Sequence, residues 1–272
     1  MFKPIQGSRF TVRDFQAAKS RGEKWAMLTA YDSWSTKLFE EAGIPALLVG
    51  DSAAMVMFGH ENTIPVDVDD LLPLVKAVVR SSEHAFVIAD LPFGTYQESN
   101  EQAIATAVRF IKEGGAHAVK LEGGAHVLPR VTALVENGIP VMGHLGLTPQ
   151  SVNQFGGYVV QGKGEAGTRL IADAIELEKA GAFAIVLEVV PTELAAELTA
   201  SVKIPVIGIG AGNKTDAQVL VWQDLVGALS GHTPKFVQPY ADLKSVITSA
   251  VGSWANDVHS GAYPDDSHSY HR

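Results

Sequence analysis

The chain has 272 residues, is 46% hydrophobic, carries a formal net charge of −9 and contains no cysteine. That length and apolar share allow one large α/β domain or two small ones. The acidic balance argues against nucleic acid or anionic membrane as partners, and the lack of cysteine excludes disulfides, thiol catalysis and cysteine-bound zinc or iron–sulfur sites.

The start, Met1-Phe2-Lys3-Pro4, lacks a signal-peptide core. The longest apolar runs, such as 182–187, are strand-sized, so the expectation is a soluble cytoplasmic protein. Periodicity predicts a first helix over 11–20, with Thr11 as cap and Val12, Phe15 and Ala18 on one side. A strand follows at 25–30, then a helix at 33–42 closed by Gly43, and a second strand at 46–50. Residues 51–66 show no clear period. A helix at 67–82 contains Pro73, tolerable only near the first turn, and 86–90 is the third strand. Ser99 with Gln102 forms a capping box for a helix that runs to Glu113 and is closed by Gly114. The fourth strand is 118–121, followed by a helix near 125–136 and a fifth strand at 140–144. The stretch 145–166 is long and glycine-rich and reads as a functional loop. Helices at 168–180 and 192–201 alternate with strands at 183–188 and 205–209, and 218–222 is a short eighth strand. A last helix spans 240–258, and 260–272 is a polar tail expected to be mobile.

One unit repeats loosely: helix, glycine or Lys-Ile-Pro break, apolar strand, loop. It is visible in E-A-G-I-P-A-L-L-V-G-D, E-G-G-A-H-A-V-K-L-E and K-A-G-A-F-A-I-V-L-E. Strands apolar throughout and alternating with helices predict a parallel sheet covered by helices. About eight such units predict an α/β fold of the (β/α)8 TIM barrel type, with an N-terminal helix and an extra C-terminal helix. No composition shift marks a boundary, so 1–272 reads as a single domain.

In such a barrel the C-terminal strand ends share one rim, where active sites are built. Successive strands here end on Asp51, Asp90, Lys120 with Glu122, His144 and Glu188. An isolated Lys-x-Glu in a core strand reads first as a buried ion pair, but a purely structural barrel does not need ionisable groups at consecutive strand ends. Two like charges about 4 Å apart at an effective dielectric of about 20 repel by roughly 4 kcal/mol. Four carboxylates with one fixed cation therefore call for shared protons or a bound cation. Oxygen ligands without cysteine favour a hard ion, Mg²⁺ before Ca²⁺ or Mn²⁺. His60, His84, His117, His126 and His232 fall in loops, helices or strand starts and read as solvated or capping. The turn Gly208-Ile209-Gly210-Ala211-Gly212 reads as a place where backbone approaches a ligand, and Gly123-Gly124 as room for one.

At these residues the sequence resembles the ketopantoate hydroxymethyltransferase (3-methyl-2-oxobutanoate hydroxymethyltransferase) family. The resemblance is carried by T-A-Y-D at 29–32, V-G-D-S at 49–52, A-D-L-P-F at 89–93 and V-K-L-E-G-G at 119–124. It continues through G-H-L-G-L-T-P-Q-S-V-N at 143–153, F-G-G-Y at 155–158, V-Q-G-K-G at 160–164, I-P-V-I-G-I-G-A-G-N at 204–213 and G-H-x-P-K-F at 231–236. Ala53-Ala54 and Val189 differ from residues common in the family and read as packing changes.

The resemblance implies a Mg²⁺-dependent barrel enzyme of pantothenate biosynthesis, with one ion per subunit. It would move a hydroxymethyl group from 5,10-methylenetetrahydrofolate to 3-methyl-2-oxobutanoate, giving 2-dehydropantoate and tetrahydrofolate. Asp51 and Asp90 would bind the metal, with Glu122 beside them directly or through water. Asp51, Ser52, Asp90, Lys120 and His144 would contact the substrate, and Glu188 would be the general base. A homodecamer is also implied. Two other readings compete: a Mg²⁺-dependent barrel that makes or cleaves a C–C bond of a 2-oxo acid, like phosphoenolpyruvate mutase or isocitrate lyase, and a non-catalytic metabolite-binding barrel. The motif set favours the transferase.

Overall fold

Strands that are apolar on both faces cannot leave either face in water. In the computed structural model, among the described residues, eight parallel strands meet that demand by closing a barrel in chain order. They are β1 (Trp25–Thr29), β2 (Ala46–Val49), β3 (Phe86–Asp90), β4 (Ala118–Glu122), β5 (Val141–Gly146), β6 (Ala184–Glu188), β7 (Val206–Ile209) and β8 (Ala217–Leu220), with β8 paired back to β1. Among the described residues helices lie between successive strands, as the repeat predicts, except between β7 and β8, which a turn joins directly. The described residues are 3–4, 7–231 and 233–272. Met1, Phe2, Ile5, Gln6 and His232 lie outside them, and with them the reading of His232 and of the first two residues. Contacts divide the chain into two units, Met1–Val221 and Trp222–Arg272.

Side chains alternate along a strand, and one parity fills the barrel. Met27, Ala46, Leu48, Phe86, Ile88, Ala118, Met142, Ala184, Val186, Ile207, Ala217 and Val219 form one buried cluster. The same parity continued toward the C-terminal strand ends turns ionisable: Ile88 is followed by Asp90, Ala118 by Lys120 and Glu122, Met142 by His144, Val186 by Glu188. Parallel register then sets Asp90 beside Lys120 and Glu122 beside His144. The change from apolar floor to polar mouth thus follows from sequence parity alone.

The opposite mouth is closed by the N-terminal helix, Val12–Arg21. Thr11 N–H donates to Asp14 Oδ2 at 2.7 Å, so the helix start is satisfied by its own third residue. Its Phe15 ring lies 4.6 Å from Trp25 and 5.7 Å from Phe86, and Phe10, Ala18 and Phe183 complete the apolar plug. Lys19 Nζ, 2.9 Å from Asp216 Oδ2, ties the helix to the start of β8.

Element ends differ from expectation where local bonding outweighs periodicity. The helix Asn100–Val108 passes into a π-helical turn, Arg109–Glu113. Its capping box is only half formed, because Ser99 Oγ accepts from Gln102 N–H but Gln102 Oε1 accepts from Glu98 N–H. Pro73 lies inside the helix Val68–Ser81, beyond its first turn. The stretch read as one long loop, 145–166, instead starts within β5 and holds a 3₁₀ turn, Pro149–Ser151, and a short helix, Val152–Phe155.

His117 enters β4 with Nδ1 accepting from Val87 N–H at 2.9 Å. Burial, aided by the charge of Arg9, pushes its pKa down to about 4. A protein whose unfolded state binds a proton that the folded state refuses loses stability as pH falls. The window runs from about 6.5, the ordinary histidine value, down to about 4. Since His117 is partly exposed, the expected loss is on the order of 1–2 kcal/mol, below the full linkage value. Urea midpoints measured between pH 7 and 4 should fall more steeply for this protein than for His117→Gln; equal slopes would remove His117 as a source.

In the second unit, the helix Leu243–Ser260 starts at Asp242, whose Oδ1 accepts from Ser245 N–H, and ends at Gly261 with φ of 74°. Val246, Ile247, Val251, Trp254 and Val258 are exposed along it. The polar tail carries a 3₁₀ turn, Asp266–His268, capped by Asp265.

Candidate active site

The six expected side chains of the rim meet at one mouth or next to it. Lys120 Nζ lies 2.7 Å from Asp90 Oδ1, an ion pair without full hydrogen-bond alignment. Lys120 and Glu122 share the interior face, as alternation demands, yet the ion-pair partner of Lys120 comes from the neighbouring strand. Glu122 Oε1 faces His144 Nδ1 at 3.4 Å, and His144 Nε2 faces Glu188 Oε2 at 3.3 Å. Asp51 follows β2 after Gly50, outside the strand parity, and enters through the backbone: its N–H donates to Asp90 Oδ2 at 3.2 Å. Ser52 Oγ is 2.8 Å from Tyr31 Oη, where either group can donate. Asp51, Asp90, Lys120, Glu122 and His144 are all buried, while Glu188 keeps a partly open side chain.

Electrostatics sorts these groups. Burial, then the charges of Asp90 and Glu122, hold the Asp51 carboxyl well above the usual carboxylate range. Burial also raises Asp90, against the pull of Lys120. Burial alone would lower Lys120, but Asp90, Glu122 and Asp51 together carry it above its ordinary value. For His144, burial and Lys120 press downward, and hydrogen bonds to Glu122 and Glu188 outweigh them, raising it to about 9. The raised value favours the imidazolium near neutral pH, with an acid facing each ring nitrogen. Lys120 Nζ, 3.3 Å from His144 Nδ1, is a like-charge contact offset by the acids on either side.

Two residues outside the expected set organise the acids. Gln150 Nε2 donates to Asp51 Oδ2 at 2.9 Å, and its backbone N–H donates to Glu122 Oε2 at 3.0 Å. Tyr96 Oη donates to Gln150 Oε1 at 2.7 Å and receives Glu122 N–H at 3.2 Å. Neither residue ends a strand or carries a charge, so the strand-end pattern does not find them. The sequence signal for Gln150 is its place in the G-H-L-G-L-T-P-Q-S-V-N segment.

The glycines after β4 do not make room for a ligand. A Cβ at Gly123 would meet the His126 ring at 2.6 Å, and one at Gly124 would meet Asp173 Oδ2 at 2.1 Å. The turn after β7 likewise approaches protein: a Cβ at Gly208 would lie 2.6 Å from Thr215 Oγ1 and one at Gly212 2.5 Å from Thr192 Cγ2. The glycine that shapes the mouth is Gly146, at φ of +91°, where a Cβ would sit 2.2 Å from the Glu188 carbonyl. That carbonyl accepts from Leu147 N–H at 2.8 Å. Gly146→Ala combines a left-handed backbone with a backbone clash and is expected to cost roughly 2–4 kcal/mol. A urea midpoint unchanged in Gly146→Ala would refute this account of the β5–β6 junction.

A cation fits the donor set. Four carboxylates (Asp51, Asp90, Glu122, Glu188) against two cations (Lys120, His144) leave a formal charge of −2 when all are ionised. Glu122 Oε1 is buried and makes no hydrogen bond. Among the described residues no group of three or more His, Asp or Glu side chains forms a ready metal cage. Mg²⁺ does not require one, because it commonly keeps waters and takes one or two carboxylates plus substrate oxygens. Asp51 and Asp90 are the adjacent acids that could hold it, with Glu122 one step away.

The sequence model of the family described as ketopantoate hydroxymethyltransferase matches residues 9–266. A protein of Frankia alni (strain DSM 45986 / CECT 9034 / ACN14a) named 3-methyl-2-oxobutanoate hydroxymethyltransferase is 62% identical over 263 residues, covering 97% of this chain and 87% of that protein. One of the same name from Thermobifida fusca (strain YX) is 59% identical over 263 residues, covering 96% and 94%. Among solved structures, phosphonopyruvate hydrolase with oxalate and Mg²⁺ superposes with a TM-score of 0.61 at 13% identity, covering 94% of this chain and 92% of that one. 2,3-Dimethylmalate lyase, of the PEP mutase/isocitrate lyase superfamily, superposes at 0.59 with 16% identity, covering 94% and 90%. These two show a shared barrel fold.

Proposed function

Because the chain belongs to the ketopantoate hydroxymethyltransferase family, we propose that it transfers a hydroxymethyl group to 3-methyl-2-oxobutanoate, with 5,10-methylenetetrahydrofolate as donor. The products are 2-dehydropantoate and tetrahydrofolate, and the step belongs to pantothenate biosynthesis. The observation that carries this reading is the family match over residues 9–266. The collected acids and bases at one barrel mouth support it.

The reaction must remove a weakly acidic proton from the carbon next to the keto group. Mg²⁺ held by Asp51 and Asp90 would supply Lewis-acid polarisation of the oxo acid's oxygens. Lys120 faces the substrate's negative charge from inside the barrel, and Ser52 and His144 donate hydrogen bonds to its oxygens. Glu188, partly open and 3.3 Å from the His144 imidazolium, accepts the proton. The carbanion carbon bonds the one-carbon unit, and both C–N bonds of that unit to the folate break. Water supplies the hydroxyl oxygen with one of its hydrogens, and the folate nitrogens take up the other and the proton removed from the oxo acid as tetrahydrofolate leaves. Glu122, buried against His144 and Gln150, holds its neighbours in place.

The assay is purified protein with 3-methyl-2-oxobutanoate, methylenetetrahydrofolate and Mg²⁺, followed for 2-dehydropantoate. Omission of the folate is expected to abolish product, and thorough chelation is expected to reduce it to background. Turnover that survives chelation would end the metal assignment; folate-independent cleavage of a 2-oxo acid would end the transferase reading.

The reading includes a cytoplasmic homodecamer. Among the described residues no helix is long and apolar enough to cross a membrane, and the exposed apolar side chains on Leu243–Ser260 support burial between copies. Sedimentation velocity tests it: a monomer would refute it.

A further inference from the structure

We infer that Gln150 is a positioning residue that fixes two acids, Asp51 after β2 and Glu122 of β4, and so aims the other oxygen of Asp51 at the cation site with Glu122 held beside it. This rests on the metal reading of the site given above. A carboxylate presented to a cation needs its other oxygen held, because a free rotation about its last bond would scramble the ligand geometry. Gln150 holds Asp51 by Oδ2 and Glu122 by Oε2. Asp51 Oδ1 and Glu122 Oε1 are the oxygens it leaves, and the latter is buried, facing His144 Nδ1 at 3.4 Å without a hydrogen bond.

The amide itself has no freedom to turn. Its Nε2 has two acceptors, Asp51 Oδ2 and the Leu91 carbonyl, each at 2.9 Å. Its Oε1 accepts from Tyr96 Oη at 2.7 Å and from Gln97 Nε2 at 3.3 Å. A flipped amide would set oxygen against carboxylate and carbonyl. The hydroxyl of Tyr96 is polarised in turn by Glu122 N–H, which donates to it. The chain Glu122 N–H, Tyr96, Gln150, Asp51 therefore runs in one donor sense from one acid to the other. The 3₁₀ turn Pro149–Ser151 that carries Gln150 belongs to the wall of the site, although it falls in the stretch that the sequence presents as a loop.

The test uses Mn²⁺ as the probe, read as free ion by its paramagnetic resonance, on Gln150→Ala, Gln150→Glu and Tyr96→Phe. Loss of a group that orients metal ligands costs about 10–100-fold in affinity. Gln150→Ala is expected to weaken Mn²⁺ by that factor. Gln150→Glu, nearly the same shape but setting a carboxylate against Asp51, should weaken it at least as much. Tyr96→Phe, which removes one of the two donors to the amide oxygen and the acceptor of Glu122 N–H, should weaken it several-fold less than Gln150→Ala. Melting temperatures in chelator are expected to separate this from a general loss of fold, and Gln150→Glu and Tyr96→Phe keep the test open where Gln150→Ala does not fold. Mn²⁺ affinity of the folded variants equal to wild type overturns the inference alone. Wild-type protein that takes up no Mn²⁺ overturns the metal reading and the inference with it.

Discussion

Glu188→Gln is expected to lower turnover by about 10²–10⁴-fold, the usual contribution of a positioned general base, while oxo-acid binding stays near its wild-type strength. The amide matches the carboxylate in shape, so packing beside His144 is kept, but it cannot take the proton. The diagnostic readout is exchange of the hydrogen next to the keto group in deuterated buffer, without folate. Wild-type protein should exchange it and the variant should not. A variant that exchanges at the wild-type rate would assign proton removal to another group. A second signature accompanies the first. Glu188 is one of the two acids whose hydrogen bonds raise His144 to about 9, so the histidine pKa should fall in Glu188→Gln, visible by NMR of the ring.

Lys120→Met is expected to damage stability as well as activity. The ammonium is buried and paired at 2.7 Å with Asp90. Removing one partner of a buried pair leaves the other charge without compensation, a loss of about 3–5 kcal/mol. The unfolding midpoint in chelator should drop accordingly, and turnover should fall to near background because the substrate anion loses its fixed cation. Adding Asp90→Asn separates the two effects. The double variant removes both charges and should recover most of the stability but none of the activity. Recovery of activity would make the pair purely structural; a double variant as unstable as Lys120→Met would place the loss elsewhere.

The parts of the site that strand alternation controls were legible in the chain. Asp90, Lys120, Glu122, His144 and Glu188 each continue the interior parity of an apolar strand, so pattern and position agree. Asp51 is legible only as a strand end, since Gly50 breaks the parity and a backbone N–H brings it to Asp90. Gln150 and Tyr96 escape this logic because uncharged groups on turns carry no periodic mark, and their value lies in bond direction. The glycine pair after β4 misleads for a similar reason. A sequence shows that a side chain is missing, but not whether a ligand or, as here, His126 and Asp173 fill the space. The helix ends miss by a few residues because their last bonds are chosen locally, as when Gln102 turns to Glu98 rather than Ser99.

The plug of Phe10, Phe15, Trp25, Phe86 and Phe183 has a kinetic consequence. The barrel interior is filled by side chains and packed rings cover its far end, so both reactants would share the rim as entrance and exit. If the oxo acid sits at the depth of Lys120 and His144, as proposed above, the bulkier donor would stand between it and water. Ordered kinetics are the expected result, oxo acid binding first and tetrahydrofolate leaving before the extended acid, and product-inhibition patterns check it. Queueing at that shared rim would set the order of events in each turnover.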